Sequence, residues 1–179
     1  MSKVSKHVDW CLKKAEREIK ECESLGKRAK HRGLLKIEPN IEEAEKHLAK
    51  AEHYLKVTEY LVKGKFSDVS LGTLFYTMYQ CFLSIISKFG YDSGNQSCTI
   101  SLIEFLKEQG KINIDKRFLK YFDYKDNDSE DSIIELREDY TYGTNIKADN
   151  SKINFFIKEC KELIDLTKEI IYSRGFDEK

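Results

Sequence analysis

The sequence predicts an all-α protein, an up-and-down bundle of about five to six helices. Two observations support this prediction. Apolar residues recur at three- and four-residue steps along most of the chain, which is the spacing of amphipathic helices. The 179 residues also include one Pro and nine Gly, with 40% hydrophobic and 35% charged residues, a composition typical of helical bundles. We expect a single helical domain over residues 1–179.

The longest apolar stretch, residues 67–90, predicts a central buried helix. Apolar residues occur on nearly every side of it, so other helices must surround it. Ser67 is a candidate N-cap, and Gly90 is a candidate for the residue that follows the helix. A membrane span is the competing interpretation. We disfavour it because polar residues such as Gln80 and Lys88 interrupt the run.

The other helices are assigned in chain order. Residues 1–36 predict an N-terminal amphipathic helix with a basic end. Asn40 and Glu43 predict the start of the next helix through a capping box, and Gly64 predicts its end. Further helices are expected over residues 97–109 and 118–122, from Ser129 onward, and over residues 151–172.

Cysteine usage and the N-terminus bear on compartment. The five cysteines are odd in number and lack Cys-x-x-Cys spacing, so we favour buried reduced thiols over metal or disulfide chemistry and expect no metal and no cofactor. The N-terminus is polar and lacks an apolar signal segment, which predicts a cytoplasmic location and no membrane partner.

The charge is balanced overall but unevenly distributed. The 31 basic and 31 acidic residues give a formal net charge of zero, which indicates no general attraction to polyanions. Residues 1–36, however, carry eleven Lys or Arg against five Asp or Glu. Within this segment, a dense basic cluster consists of Lys27, Arg28, Lys30 and Arg32. Two interpretations of this cluster stay open, a phosphate-binding patch and a solvated helix end.

The residues best suited to chemistry lie between Arg137 and Gly143. This segment places a cation, two carboxylates and two phenols close to a helix end. The Arg137 guanidinium can bind a phosphate through two parallel hydrogen bonds. A purely structural interpretation is also open, in which Arg137 pairs with nearby carboxylates and Tyr140 packs against the central helix.

Over residues 40–173 the chain resembles the HEPN domains, helical bundles of prokaryotic toxin systems, CRISPR effectors and nucleotide-related stress proteins. The resemblance rests on an Ala-rich second helix, the Gly-Lys-Phe that follows it, and three further segments: Phe75-Tyr76-Thr77-Met78-Tyr79, the loop of residues 90–99, and Arg137-Glu138-Asp139-Tyr140. It implies a HEPN-like bundle that forms a two-fold dimer, with the motif helices of both subunits meeting at a cleft.

In active members of that family an Arg is followed, after four to six residues, by a His, and the pair cleaves RNA without a metal. Arg137 matches the Arg, but the corresponding His positions hold Tyr142, Gly143 and Thr144. Tyr142 is the candidate catalytic substitute. A phenol that ionises near pH ~10 is nevertheless a poor base at neutral pH.

We therefore expect a HEPN-like binding module for nucleic acid or a nucleotide, with a degenerate RNase site. The candidate binding residues are Arg137, Asp139, Tyr140 and Asn95, together with the basic cluster outside the region of resemblance. An active metal-independent endoribonuclease toxin and a structural or assembly subunit are the alternatives.

The expected partners are a second copy of the chain, RNA or a nucleotide, and a nucleotidyltransferase. Enzymes of that last class modify a Tyr near the motif in some HEPN systems, which makes Tyr140 and Tyr142 the acceptors by analogy. The dimer is expected to use apolar residues beside the motif helix: Ile133, Ile134 and Phe118.

Overall fold

The computed structural model describes residues 2–123 and 132–173. These residues form a mostly helical structure with one small sheet, which confirms the all-α class. In chain order the elements are α1 (Lys3–Ser24), β1 (Leu34–Lys36), α2 (Ile41–Lys63), α3 (Ser67–Lys88), β2 (Tyr91–Ser93), α4 (Gln96–Glu108), α5 (Lys116–Lys120), α6 (Ile133–Tyr142) and α7 (Asn150–Tyr172).

α3 is the central helix, as predicted, and α2, α4, α6 and α7 pack against it. Its apolar residues Leu74, Met78 and Phe82 are completely buried. One face of its N-terminal half reaches the surface, where Val69 is 53% and Tyr76 is 42% exposed. By length and composition α3 would also suit a membrane span, but most of it is buried against its neighbouring helices.

The predicted start of α2 is confirmed in part. The Asn40 side chain accepts a hydrogen bond from the backbone N–H of Glu43 at 2.9 Å, as an N-cap should. The reciprocal half of the capping box is absent, because the Asn40 N–H donates instead to the Ser87 carbonyl at 3.0 Å. This bond joins the start of α2 to the last turn of α3.

The structure differs from the prediction at two other helix starts. Phe66, not Ser67, is the N-cap of α3, and the Ser67 hydroxyl instead accepts a hydrogen bond from the Ala148 N–H at 3.0 Å. α6 begins after Ser132, whose hydroxyl accepts from the backbone of its first turn. The predicted start at Ser129 lies outside the described residues.

A short antiparallel hairpin joins β1 to β2, with Leu35 opposite Asp92. Gly90 makes the turn from α3 into β2 with a φ of +75°, as expected for the residue after a helix. A Cβ at Gly90 would lie 2.6 Å from the Ile37 carbonyl oxygen, so glycine is required. Strands of three residues show too little alternation to be recognised in a sequence.

A disulfide joins α1 to α4. The Sγ atoms of Cys11 and Cys98 are 2.16 Å apart and their Cα atoms 5.9 Å apart. The expectation of reduced thiols is therefore wrong for this pair, and Cys22, Cys81 and Cys160 are free. The pair is separated by 87 residues, so no local spacing could indicate it.

The residues expected at a dimer interface are interior ones. Ile133, Ile134 and Phe118 are at most 1% exposed within a single chain, and α6, which carries both Ile residues, packs directly on α3. That part of the dimer prediction is wrong. A helix of ten residues, with both Ile side chains in its first turn, gives little sequence indication of how deeply it is buried.

Candidate nucleic-acid interface

Arg137 lies on α6 and packs across the central helix. Its guanidinium carbon is 4.5 Å from the centre of the Phe75 ring, a cation–π contact. Its Nη2 donates to Glu138 Oε1 at 3.0 Å, and its side chain is 21% exposed. Arg137 is therefore partly desolvated and makes one ion pair within the described residues.

The Nε of Arg137 has no hydrogen-bond partner among the described residues, although this atom is buried. Buried donors in folded proteins nearly always have a partner, either protein, water or ligand. Because Nε is buried, an incoming anion would meet the exposed part of the guanidinium, on a side chain that is 21% exposed. The ion pair with Glu138 competes for the same cation.

The other motif residues point in different directions around α6 from Arg137. Asp139 is exposed and Tyr140 is half-buried against the core, whereas Tyr142 is 80% exposed. At about 100° per residue, Tyr140 is about 60° and Tyr142 about 140° from Arg137 around the helix axis. Tyr140 therefore lies beside Arg137, and Tyr142 points away from it.

Gly143 is restricted to glycine by the backbone that ends α6. Its N–H donates to the Asp139 carbonyl at 2.9 Å, and a Cβ on Gly143 would lie 2.2 Å from that carbonyl oxygen. Of the three positions that could supply the missing His, this one cannot hold any side chain without a backbone shift. Thr144, the next position, is exposed beyond the helix end.

The basic cluster lies on a non-helical loop between α1 and β1, so it is exposed to solvent as one interpretation expected, but it is not part of a helix. All four of its side chains are exposed. None of them forms an ion pair with another described residue. The cluster comprises Lys27, Arg28, Lys30 and Arg32.

The backbone of this loop is held in place at several points. The Arg32 N–H donates to the Glu18 carboxylate, and His31 Nε2 lies 3.1 Å from Asp92 Oδ2 on the hairpin. A Cβ on Gly33 would lie 2.3 Å from the Cys11 carbonyl oxygen, which shows how closely the loop follows α1. Lys30 and Arg32 line a groove of about 450 Å³ at the end of α1.

Asn95 is the N-cap of α4 and adjoins the basic loop. Its side chain accepts a hydrogen bond from the Cys98 N–H at 3.1 Å, so its amide oxygen already has a structural role. The preceding Gly94 donates its N–H to the Gly33 carbonyl at 3.0 Å. The fold thus brings together two predicted binding elements, Asn95 and the basic loop, that are more than 60 positions apart in the sequence.

Arg137 lies at a different place on the same central helix. It contacts Phe75, whereas the hairpin follows Lys88, about 20 Å further along the helix axis. A row of side chains connects the two regions: Phe75 stacks on Tyr79 at 6.0 Å between ring centres, and the Tyr79 hydroxyl lies 3.3 Å from Thr99 Oγ1. A ligand that contacts both Arg137 and the basic loop must therefore be extended.

Tyr79 is not an alternative base. Burial raises the pKa of this phenol, the hydrogen bond with Thr99 only partly opposes that effect, and the Asp92 carboxylate adds to the increase. The phenol therefore stays protonated at neutral pH.

Sequence reasoning missed a charged cluster on α5 and α7. Arg117 Nε donates to Glu159 Oε2 at 2.9 Å, and the Tyr121 hydroxyl donates to the same oxygen at 3.0 Å. The carboxylates of Glu162 and Glu159 raise the pKa of Arg117. The sequence feature that could have indicated this cluster is Glu159, an acidic residue on the apolar face of α7 beside Phe156. The two hydrogen bonds that Glu159 accepts from Arg117 and Tyr121 indicate a structural role, the anchoring of α5 on α7.

Neither a protein-family model nor a curated protein sequence matches the chain.

Proposed function

We propose that the protein is a HEPN-like bundle that binds single-stranded RNA, or a nucleotide-containing ligand of similar length, without cleaving it. One observation carries the proposal. The loop of residues 27–32 presents four exposed cations that have no ion-pair partner among the described residues. Phosphate groups release counterions when they bind such cations, and this release supplies most non-specific affinity for nucleic acid.

Two features support this assignment. The loop backbone is fixed by α1 and the hairpin, so the backbone that carries the cations needs little ordering when a ligand binds. Arg137 on α6 offers a further cation beside α3, with a side chain that is 21% exposed. The distance between the two regions favours an oligonucleotide over a single phosphate.

The absence of cleavage follows from the motif residues. No His follows Arg137 at the family spacing. Tyr142 points away from Arg137, and Gly143 cannot be replaced by a His in the present backbone. Arg137 is therefore proposed to bind a phosphate and not to take part in catalysis.

The test is fluorescence anisotropy with an end-labelled single-stranded RNA, followed by gel analysis of the same sample. We expect saturable binding and an intact RNA. Replacing Lys27, Arg28, Lys30 and Arg32 together by Ala should lower the affinity at least tenfold, because each lost phosphate contact removes part of the electrostatic term.

The matched control removes four exposed lysines from other surfaces: Lys56, Lys63, Lys111 and Lys116. This variant has the same net charge as the basic-loop variant, so it should bind RNA nearly as well as the wild type. Equal losses in both variants would show a general charge effect and contradict a site on this loop. Absence of RNA binding by the wild type would contradict the proposed function itself.

A further inference from the structure

Three metal-ligating side chains meet where α1 contacts α4. His7 and Cys11 are one helical turn apart on α1, and Cys98 lies in the first turn of α4. One ligand atom from each of the three lies within 4.8 Å of the others. Both cysteines are buried and His7 is half-buried. Two soft sulfur donors and one imidazole form the donor set that zinc prefers.

The orientation of the imidazole is fixed by a fourth residue. His7 Nδ1 lies 2.8 Å from the Ser101 hydroxyl, and Nε2 makes no hydrogen bond within the described residues. Metal-bound histidines commonly use one ring nitrogen for the ion and the other for such an outer partner. Ser101 therefore holds the ring as an outer partner in a metal site would.

We propose that, once the disulfide is reduced, His7, Cys11 and Cys98 bind Zn²⁺ or another soft divalent cation. The junction between α1 and α4 would then have two states, one closed by the disulfide and one closed by the metal. This inference is independent of RNA binding. It also revises the expectation from the sequence that no metal is bound.

Conversion of the disulfide into a zinc site requires a reductant and releases protons. Two molecules of a small thiol reduce the disulfide and are themselves oxidised to their disulfide, so two electrons and two protons pass to Cys11 and Cys98. Zn²⁺ then replaces the two thiol protons, which are released to solvent, and its oxidation state does not change. A reducing compartment would favour the metal-bound state.

The geometry requires only small movements. Zinc–sulfur distances of about 2.3 Å and zinc–nitrogen distances of about 2.0–2.1 Å place tetrahedral ligand atoms about 3.5–3.8 Å apart. The Sγ atoms must separate from 2.16 Å after reduction, while their Cα atoms at 5.9 Å can stay in place. His7 is the most exposed of the three ligands, and the fourth position of a tetrahedral site is left for water.

The other cysteines do not form an equivalent site. Cys81 and Cys160 are as deeply buried as Cys11 and Cys98, but within the described residues no third metal-ligating side chain joins them to complete a group of three. Cys22 is the third free thiol and is half-buried on the same helix as Cys11. It serves as the matched control.

The experiment measures zinc bound per chain after reduction with a phosphine, gel filtration, and challenge with a chelator. Reduced wild type should retain one zinc per chain, and oxidised wild type should retain none. Co²⁺ substitution should give a thiolate-to-metal charge-transfer band. Cys11→Ser and Cys98→Ser should abolish both signals, whereas Cys22→Ser should keep them.

Substitution of His7 tests the proposal even if the cysteine variants fold poorly. His7→Gln should weaken zinc affinity at least tenfold, and Ser101→Ala should weaken it by about tenfold, the lower end of outer-partner effects. His53→Gln, an exposed control on α2, should have no effect. The proposal is overturned if reduced wild type retains no zinc, if Cys22→Ser loses zinc as Cys98→Ser does, or if His7→Gln binds like wild type.

Discussion

At the residue scale, Arg137 shows what local sequence could and could not predict. Its type and its position near a helix end identified it as the best candidate phosphate ligand. Its stacking on Phe75 and its ion pair with Glu138 depend on how α6 packs against α3, which no local pattern specifies. The expected binding role and the expected structural pairing therefore involve the same side chain.

Arg137→Met separates these two roles. Methionine keeps the contact with Phe75 but removes the charge, so the free energy of unfolding should change by less than about 1 kcal/mol. RNA affinity should fall about tenfold, because a charge-assisted hydrogen bond contributes about 1.5–3 kcal/mol. Thermal unfolding and anisotropy check the two effects. Strong destabilisation without any change in affinity would show that Arg137 is structural.

Tyr142→His tests whether the missing histidine alone would explain the proposed lack of cleavage. Tyr142 is 80% exposed and lies about 140° around α6 from Arg137, so a His there would not face the same phosphate. We expect no gain in RNA cleavage over Tyr142→Phe near pH 7. Chelator-insensitive cleavage by Tyr142→His that disappears when Arg137 is also replaced would contradict this geometry.

At the element scale, the helices were predictable because their signals are local, and the connections between them were not. Asn40 caps α2 through a residue three positions away, and a sequence displays such spacing directly. The Cys11–Cys98 bond joins residues 87 positions apart. The partners β1 and β2 are likewise separated by the whole of α2 and α3, so only the tertiary structure reveals them.

The disulfide should be the main attachment of α1. Chain-entropy arguments for a loop of this length give about 4–5 kcal/mol of stabilisation. Reduction in the presence of a chelator should therefore lower the melting temperature and increase hydrogen exchange in α1, while the centre of α3 stays protected. An unchanged melting temperature, with five thiols titrated after reduction, would show that packing alone holds α1.

At the scale of the whole molecule, the class and the central helix were predictable, and the spatial arrangement of the proposed binding residues was not. The sequence places the basic loop and Asn95 far apart, whereas Gly94 and Gly33 bring them together. The sequence suggested that Ile133 and Ile134 were available for a partner subunit, but in the structure α3 covers them. Hydrophobic spacing predicts which face of a helix is apolar but not which neighbour covers it.

We still expect a homodimer, through a different set of apolar residues. Exposed ones occur on α3, on α6 and on the loop that follows α6: Val69, Tyr76, Tyr142 and Ile146. Val69→Lys should shift the protein towards monomer in sedimentation experiments, whereas Tyr60→Lys on α2 should not. Wild type that sediments only as a 21.0 kDa monomer at tens of micromolar would contradict the dimer.

The most direct test of the central claim is the salt dependence of RNA binding. For single strands, the logarithm of the binding constant falls with the logarithm of salt concentration by about 0.7 for each phosphate neutralised. If the four basic-loop cations each contact a phosphate, replacing them by Ala should make this slope shallower by about 3. The four-lysine control should keep the wild-type slope. An unchanged slope in the basic-loop variant would contradict the account.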